Sequence, residues 1–322
     1  MISISIAVPV YNEEGNIAPL HKEIKDVCEA NNYTYEIIFV DDGSTDKTEE
    51  IARGLRPLKY VKLRRNFGQT ATMDAGIRLA KYDYIITMDG DRQNDPADIP
   101  NLIDHAIKHD LDIVSGWRKT RKDSAAKKIF SRCANLLRGI IVKDGIHDSG
   151  CSLKLYKKEC FDEIILYGEM HRFIPALCII KGFTVGEIVV NHRPRVAGVT
   201  KYNYKRAFKG FIDMISLWFW GKFASRPLHL FGFLGILALV LAFAAGITSI
   251  VIFALQGRIN NTAWPILTTV FLIAGLQMFT FGLLSDMMSK IYRETTKDKS
   301  YVIKEIVENG ETVDEETNTA SK

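Results

Sequence analysis

Short apolar runs alternate with helical patterns over the first two thirds of the chain. The apolar runs, rich in Ile and Val, predict strands over 2–10, 36–40, 60–63, 84–88 and 112–115. The helical patterns lie over 14–31, 69–80 and 98–109, and Ser44 or Thr45 can cap one further helix. This alternation predicts an α/β fold with a mostly parallel sheet and helices on both faces.

Two long apolar stretches follow in the last third of the chain. No charged residue lies between Arg226 and Arg258, a span of 31 positions, or between Arg258 and Asp286, a span of 27. Each stretch exceeds the roughly 20 residues that cross a bilayer core. A buried helical hairpin is the alternative, but core helices rarely stay free of charge for so long. The pattern therefore predicts two transmembrane helices, over 230–255 and 264–285.

Basic residues flank this helix pair on both sides, whereas the connecting loop 256–263 holds only Arg258. The positive-inside rule therefore places the segments before and after the pair, and with them both termini, in the cytoplasm. Residues 204–223 mix Lys and Arg with aromatic residues, including Trp218 and Trp220. This composition is typical of an interfacial amphipathic helix, with a plain surface helix as the alternative.

The C-terminal residues 301–322 carry six acidic residues against two lysines, and almost no apolar residue after Val307. This composition predicts a disordered tail without a catalytic role. The predicted organisation is a catalytic α/β domain over 1–203, an amphipathic segment over 204–226, a transmembrane hairpin over 227–288 and a largely disordered cytoplasmic tail over 289–322.

Composition excludes several classes of protein. The chain has 322 residues, of which 47% are hydrophobic and 25% charged, with a net charge of +4. These values exclude a disordered, collagen-like or disulfide-scaffold chain. The five cysteines form no Cys-x-x-Cys pair, so we expect reduced thiols in a cytosolic setting. Dinucleotide-binding, P-loop and zinc-protease motifs are absent from the sequence.

Two carboxylates follow the predicted strand 84–88. Asp89 and Asp91 stand at positions i and i+2, so both can face one ligand. Mg²⁺ or Mn²⁺ binds such carboxylates together with phosphate oxygens and water, and Gln93 can add a neutral oxygen. A calcium loop is disfavoured, because Asn94 and Pro100 stand where that loop needs Gly and Glu.

A second acidic pair, Asp41 and Asp42, ends the strand 36–40. Adjacent residues point in different directions, so this pair is not a glycosidase-type carboxylate pair. One of the two can accept hydrogen bonds from a base or a ribose. The alternative is a charge cluster at a helix N-terminus.

Basic residues crowd the second half of the predicted α/β domain. Nine basic residues and one acidic residue lie between Trp117 and Lys143, and six basic residues and no acidic residue lie between Asn191 and Lys209. One-sided clusters next to a membrane segment indicate a phosphate ligand, either an anionic lipid or a phosphorylated lipid substrate. A solvated face is the alternative, and a membrane-anchored enzyme domain disfavours nucleic acid.

Four motifs together resemble the inverting family-2 glycosyltransferases of the GT-A fold. They are VPVYNEE at 8–14, VDDGSTD at 40–46, RNFGQ at 65–69 and MDGD at 88–91. Further motifs at 115–118, 148–154, 169–173 and 192–202 resemble the polyprenyl-phosphate branch, the dolichol-phosphate mannose synthases and bactoprenol glucosyltransferases.

The resemblance covers about 4–290, including the paired membrane helices. Two departures are mild. The metal motif is Asp-Gly-Asp-Arg at 89–92, where the family commonly has Asp-Ala-Asp-Leu, and Thr200 stands where serine is common. The QxxRW motif of processive synthases is missing, which disfavours polymerisation.

The resemblance implies a GT-A catalytic domain and roles for its residues. The donor nucleotide would be bound by Pro9, Tyr11, Glu13, Asp41 and Asp89. The divalent metal, Mg²⁺ or Mn²⁺, would be bound by Asp89, Asp91 and Gln93. The acceptor phosphate would be bound by Arg118, Arg132, Arg195 and Lys201. The catalytic residues would be Asp91, Asp148 and Arg118.

The implied reaction transfers a hexose-type sugar, with inversion, from a UDP- or GDP-linked donor to undecaprenyl or dolichyl phosphate. It would take place at the cytoplasmic face of the inner cell membrane, and the sequence leaves a homo-oligomer open. One alternative is a membrane protein that binds or flips a sugar lipid without turnover. Two helices without intramembrane charge make a poor transport path, however, and the metal motif would be idle. The other alternative, a nucleotidyltransferase, would need a Gly-rich triphosphate loop that 9–15 does not provide.

Overall fold

A computed structural model describes residues 2–119, 145–162, 164, 166, 168, 170–194, 227–256, 263–295 and 301–313. These residues fall into two compact units, one within Met1–Ile215 and Lys299–Lys322 and one within Ser216–Asp298. The predicted amphipathic helix at 204–223 and the predicted site residues Arg132, Arg195 and Lys201 lie outside the described residues.

The first unit is built on a sheet whose nine described strands run in the order β7-β5-β6-β4-β1-β2-β3-β8-β9. The strands are β1 (Ser3–Val10), β2 (Thr34–Asp41), β3 (Lys59–Leu63), β4 (Tyr84–Thr87), β5 (Ile113–Trp117), β6 (Lys154–Lys157), β7 (Val185–Val189), β8 (Ile303–Glu308) and β9 (Glu311–Val313). The central strands β4, β1, β2 and β3 are parallel, as the strand–helix alternation predicts. Strand β6 lies antiparallel between β4 and β5, and β7 pairs in parallel with β5.

Helices cover both faces of this sheet. They are α1 (Ile17–Ala30), α2 (Thr48–Arg53), α3 (Gln69–Arg78), α4 (Ile99–His109) and α5 (Ile174–Lys181). Successive residues of β2 alternate between two hydrophobic clusters: Ile37 and Phe39 belong to the cluster with α1 and α4, and Ile38 and Val40 to the one with α3 and α5. The period of two along a strand therefore produces a core on each side of the sheet.

The prediction of a disordered tail is wrong for 303–313. Strand β8 pairs antiparallel with β3 and continues through Asn309 and Gly310 into β9. Both turn residues have positive φ, 49° and 90°, which is the geometry of a two-residue hairpin turn with the Asn-Gly sequence. Ile306 and Val307 are buried in the two hydrophobic clusters. The acidic composition of this segment obscures the sequence pattern of a short strand, whose apolar residues Ile306 and Val307 are part of the core.

The described part of the second unit holds two helices, α6 (Pro227–Gln256) and α7 (Trp264–Thr295). At 1.5 Å per residue, the 30 residues of α6 span about 45 Å, more than a bilayer core. The helices pack closely at Gly235, where an added Cβ would lie 3.0 Å from the carbonyl oxygen of Gly275. In each helix, only 11% of the most apolar 18-residue stretch is buried. Most apolar side chains of the two helices therefore face outward, as those of a membrane hairpin do.

Candidate active site

The loops that follow β1 and β2 are joined by hydrogen bonds. The Asn12 amide donates to Ser44 Oγ over 2.9 Å, and the Thr45 amide donates to Asn12 Oδ1 over 2.9 Å. The Glu13 amide donates to Thr48 Oγ1 over 2.9 Å. Parallel strands end at one edge of the sheet, where ligands of open α/β folds bind. These contacts place the predicted nucleotide-binding segment, Pro9 to Glu13, at that edge.

Asp41 is fully buried, and groups of the chain itself surround its carboxylate. Its Oδ1 accepts hydrogen bonds from the amide and the hydroxyl of Ser44, and its Oδ2 accepts one from the hydroxyl of Tyr60. Burial, followed by this contact with Asp41, raises the pKa of Tyr60, so the phenol remains a donor. Asp41 therefore holds the turn after β2, and its contact with a nucleotide base stays a prediction.

Asp42 connects the same turn to α3. Its carboxylate accepts hydrogen bonds from the Phe67 amide over 2.7 Å and from the Gly68 amide over 3.0 Å. Gly68 has φ +96°, a conformation that favours glycine, and it directly precedes Gln69 at the start of α3. Asp42 thus fixes the position of Gln69.

Gln69 in turn contacts the carboxylate pair predicted to bind metal. Its Nε2 donates to Asp89 Oδ1 over 2.8 Å. Burial, and next the negative charge of Asp91, raise the pKa of Asp89. Two like charges in a buried place are stabilised by a divalent cation. The residues present therefore fit Mg²⁺ or Mn²⁺.

Gly90 lets this turn lie against β1. A Cβ on Gly90 would stand 3.0 Å from Val10 Cγ1 and 3.1 Å from the Pro9 carbonyl oxygen. Because Val10 occupies this space, glycine fits here better than the alanine common in the family that the sequence resembles. The predicted donor segment and the carboxylate pair are therefore in direct contact.

The carboxylate pair has few further candidate ligands around it. Among the residues that the structure describes, no group of three or more His, Cys, Asp or Glu could hold a metal ion. A cation at Asp89 and Asp91 would therefore depend on phosphate oxygens and water for the rest of its shell. The amide of Gln93 donates to Asp91 Oδ1 over 3.1 Å, and the role of the Gln93 side chain as a ligand stays a prediction.

Arg118 and Asp148 form a largely buried ion pair, with side chains 10% and 17% exposed. Arg118 donates to Asp148 from Nε over 2.7 Å and from Nη2 over 3.0 Å, and its amide donates over 3.2 Å. Burial by itself raises the pKa of Asp148, but the hydrogen bonds and charge of Arg118 lower it overall. The structure thus brings together two of the predicted catalytic residues. Asp148 accepts hydrogen bonds from the Nε and Nη2 edge of the guanidinium. Of its five N–H donors, those on Nη1 and the second on Nη2 are not engaged by Asp148.

Two buried polar residues, absent from the predicted site, connect the carboxylate pair to the segment that carries Asp148. Asn94 Oδ1 accepts hydrogen bonds from the Asp89 amide over 3.1 Å and from Ser152 Oγ over 2.8 Å. Two charged residues, the largely buried Glu187 and the buried Lys154, also contact that segment. Asn94 and Glu187 lie outside the motifs described above, and Ser152 and Lys154 lie within the motif at 148–154, which predicted no role for either residue. The contacts of Glu187 with Asp148 and of Ser152 with Asn94 join residues 39 and 58 positions apart.

One residue of the predicted phosphate-binding cluster has carboxylate partners. Arg193 donates to Glu23 Oε2 over 2.6 Å and to Asp95 Oδ1 over 2.5 Å. Its amide donates to the Gln93 carbonyl over 2.9 Å. Arg193 therefore fixes the loop after Asp91 and adds little positive charge for a ligand. The count of basic residues at 191–209 overstates the charge available to a phosphate.

Comparisons of sequence show the family of this chain. A family model described as Glycosyl transferase family 2 matches residues 5–165. The dodecaprenyl-phosphate galacturonate synthase of Rhizobium johnstonii is 38% identical over 317 residues, covering 95% of this chain and 93% of that protein. The undecaprenyl-phosphate 4-deoxy-4-formamido-L-arabinose transferase of Aeromonas hydrophila is 29% identical over 318 residues, covering 96% and 95%. These matches confirm the resemblance drawn from the motifs.

Comparison of structures confirms the fold. Glucosyl-3-phosphoglycerate synthase from Mycobacterium tuberculosis, in complex with Mn²⁺, uridine diphosphate and glucosyl-3-phosphoglycerate, aligns with a TM-score of 0.53. The alignment covers 68% of this chain and 80% of that chain at 16% identity. A further structure of the same synthase, with Mg²⁺ and uridine diphosphate, has a TM-score of 0.52.

Proposed function

We propose that this chain, which belongs to glycosyl transferase family 2, transfers a hexose-type sugar from a nucleoside diphosphate sugar, UDP- or GDP-linked, to a polyprenyl phosphate such as undecaprenyl or dolichyl phosphate. The proposal rests on one observation: the carboxyl edge of the sheet carries two groups of charged side chains. The carboxylates Asp89 and Asp91 suit a cation on the donor diphosphate, and the largely buried Arg118–Asp148 pair offers guanidinium N–H groups for a phosphate. Two apolar helices in the same chain suit a lipid acceptor.

The donor side of the reaction depends on the carboxylate pair. Asp89 and Asp91 would hold Mg²⁺ or Mn²⁺, which when bound neutralises the charge that develops on the leaving diphosphate. Pro9, Tyr11 and Glu13 lie at the adjacent strand end and would bind the nucleotide. Gln69 keeps Asp89 in a fixed orientation through its 2.8 Å hydrogen bond.

The acceptor side needs orientation more than proton transfer. A phosphate monoester has a second pKa near about 6, so it is already anionic at neutral pH. The outer N–H groups of Arg118 would bind this phosphate, while Asp148 prevents the guanidinium from rotating. In-line attack of a phosphate oxygen on the anomeric carbon, in a single displacement, inverts the configuration at that carbon.

The sheet also supports the proposed arrangement in the membrane. Strand β8, which follows both apolar helices, pairs with β3, which precedes them. In the proposed arrangement, the chain would begin and end the helix pair on one side of a bilayer, as two crossings require. Because basic residues flank both ends, we assign that side, with both termini, to the cytoplasm of a cell with an inner membrane.

A donor panel tests this function. The full-length protein, purified in detergent with Mn²⁺, is incubated with a short polyprenyl phosphate and radiolabelled UDP-glucose, UDP-galacturonate, GDP-mannose or a UDP-linked 4-formamido pentose. We expect one donor to give a labelled lipid, whose anomeric configuration is opposite to that of the donor. Reactions without polyprenyl phosphate are the control. Saturable binding of a sugar lipid without any labelled product would instead indicate a binding or flipping protein.

A further inference from the structure

Residues 147–151, here called the Asp148 segment, are held by two side chains of opposite charge, one from each strand that pairs with β5: the buried Lys154 of β6 and the largely buried Glu187 of β7. Glu187 of β7 accepts hydrogen bonds at Oε1 from the amides of His147 and Asp148, both over 3.0 Å. Its Oε2 lies 2.8 Å from Nδ1 of His147. The carboxylate of Glu187 thus fixes the main chain on the N-terminal side of Asp148.

Lys154 of β6 holds the other end of the Asp148 segment. Its Nζ donates to the carbonyl oxygen of Ser149 over 3.1 Å and to that of Cys151. The side chain is only 2% exposed, and burial lowers its pKa. In the Asp148 segment, two main-chain amides therefore donate to the Glu187 carboxylate, and two main-chain carbonyls accept from the Lys154 ammonium group.

The strand register explains how both side chains reach one segment. Ser115 of β5 is paired with Lys154 on one side and with Glu187 on the other. Residues in one row across a sheet have side chains on the same face. Strand β5 ends at Trp117, and Arg118 follows it directly, three residues after Ser115. The sheet thus places Glu187 and Lys154 on either side of the strand that leads to Arg118.

Charges in these positions are costly for stability alone. A buried ion carries a desolvation penalty of several kcal/mol, and an apolar residue of similar volume is often as stable or more so. Hydrogen bonds to the main chain offset that penalty and fix the geometry of the segment. The gain is the orientation of Asp148, whose two oxygens both contact Arg118.

We propose that Glu187 and Lys154 are positioning residues that hold Asp148, and through it Arg118, in the orientation that binds the acceptor phosphate. The proposal rests on the proposed function and deepens it. Neither residue touches substrate. Each removes conformational freedom from the guanidinium before the phosphate arrives, which lowers the entropic cost of binding.

Apolar replacements of similar size test this role. Glu187→Leu and Lys154→Met remove the hydrogen bonds without opening a large cavity. In the full-length protein in detergent, we expect the affinity for a short polyprenyl phosphate, measured by calorimetry without donor, to fall about tenfold in each variant. Glu187→Gln keeps one acceptor oxygen, so its affinity for polyprenyl phosphate should lie between those of the wild type and Glu187→Leu. The exposed residues Glu159 and Lys108 provide the matched controls Glu159→Leu and Lys108→Met.

Kinetics distinguish positioning from general damage. Both variants should raise the KM for polyprenyl phosphate about tenfold and leave the KM for the nucleotide sugar within about twofold. In an Arg118→Ala background, Glu187→Leu should have no further effect on acceptor affinity, because residues that act through one another are not additive. Equal increases in both KM values, or full additivity with Arg118→Ala, would overturn the proposal.

Hydrogen exchange gives a readout that needs neither donor nor turnover. The amides of His147 and Asp148 should exchange at least about tenfold faster in Glu187→Leu than in the wild type. Unchanged exchange together with unchanged acceptor affinity overturns the positioning role even if the wild type transfers sugar. Conversely, a wild type that binds polyprenyl phosphate through Arg118 but transfers no sugar leaves the positioning role standing and refutes the proposed function.

Discussion

Buried carboxylates at the carboxyl edge of the sheet are of two kinds. Asp41 and Asp42 accept hydrogen bonds from hydroxyls and main-chain amides of this chain, and Asp148 is paired with an arginine. Asp89 also accepts a hydrogen bond, from Gln69, yet burial and the charge of Asp91 still raise its pKa. An added cation would therefore stabilise Asp89 and Asp91 most.

The Asp91→Asn substitution tests the metal-binding role of this pair. Losing one of two carboxylates should weaken a divalent ion that bridges donor phosphates, so we expect at least a hundredfold loss of transfer, which is about 2.7 kcal/mol. Transfer is measured against Mn²⁺ concentration in the folded, purified variant. Asp110→Asn, at a fully exposed side chain, is the control. Near-normal turnover of Asp91→Asn at saturating Mn²⁺ would contradict the assignment.

The Arg118–Asp148 pair should make stability depend on pH. The Asp148 pKa is lower in the folded protein than the ordinary value of about 3.9. The pair therefore stabilises the fold fully above that ordinary value and loses its effect as the pH falls through the folded pKa.

Asp148→Asn leaves a largely buried arginine without its charged partner. Because the two side chains are still 10% and 17% exposed, we expect a cost of no more than about 3 kcal/mol, the lower end of the range for a fully buried pair. We expect a lower Tm than in the wild type at pH 7, with the gap narrowing as the pH falls below about 4. Tm in detergent is measured from pH 7 to pH 3, with Asp110→Asn as the control. A gap that stays constant, or that widens in acid, would show that the Arg118 contact does not lower the Asp148 pKa.

At the scale of elements, the long-range pairing of short strands decides what a sequence can predict. Strands β1 to β5 stand out as apolar runs, and the acidic ends of β1, β2 and β4 meet as the parallel order requires. Strand β6 has the sequence KLYK, whose buried Lys154 looks like an exposed basic residue. The pairing of Arg118 with Asp148, 30 positions apart, depends on β5, β6 and β7 coming together, and no local pattern contains that.

The sequence of the C-terminal hairpin contains a turn motif, but the acidic residues around it obscure the strand pattern. Asn309-Gly310 is a strong hairpin sequence, and it lies between Ile306-Val307 and Val313. The acidic composition favours a solvated tail, whereas the turn motif favours a hairpin, and the structure has the hairpin. Arg53 pairs with Glu305 over 2.5 Å, so one of those acids contributes to the fold.

Aspartate substitutions at a buried and at an exposed position of β8 test whether this strand is part of the folded unit. Ile306 is 1% exposed, so Ile306→Asp buries an unpaired charge and should destabilise the protein by about 3–5 kcal/mol. Lys304 is exposed on the same strand, and Lys304→Asp should change stability by no more than about 0.5 kcal/mol. Thermal unfolding in detergent and protease cleavage after residue 300 are the measurements. Two variants that both behave like the wild type would restore the disordered tail.

At the scale of the whole molecule, the sheet constrains the path of the chain. Strands β1 to β7 precede the two apolar helices, and β8 and β9 follow them within the same sheet. A single crossing, or three crossings, would separate β8 from β3. The pairing of β3 with β8 joins the segments before and after the helices in one sheet, which agrees with the proposed topology, and the positive-inside rule is what assigns that side to the cytoplasm in the proposal.

Cysteine labelling in intact cells checks this topology. Ala263 precedes the second apolar helix and is exposed, as is Glu311 in β9, so Ala263→Cys and Glu311→Cys report on opposite ends of that helix. A Cys133→Ser background leaves the four described native thiols, all of them buried. An impermeant maleimide should label Ala263→Cys in intact cells and Glu311→Cys only after permeabilisation, because one helix of about 30 Å or more separates the two sites. Labelling of Glu311→Cys from outside would place the sheet, and with it the nucleotide-sugar site, on the wrong side of the membrane for a cytoplasmic donor. Equal labelling of both positions in intact cells would mean that the two apolar helices do not cross the bilayer.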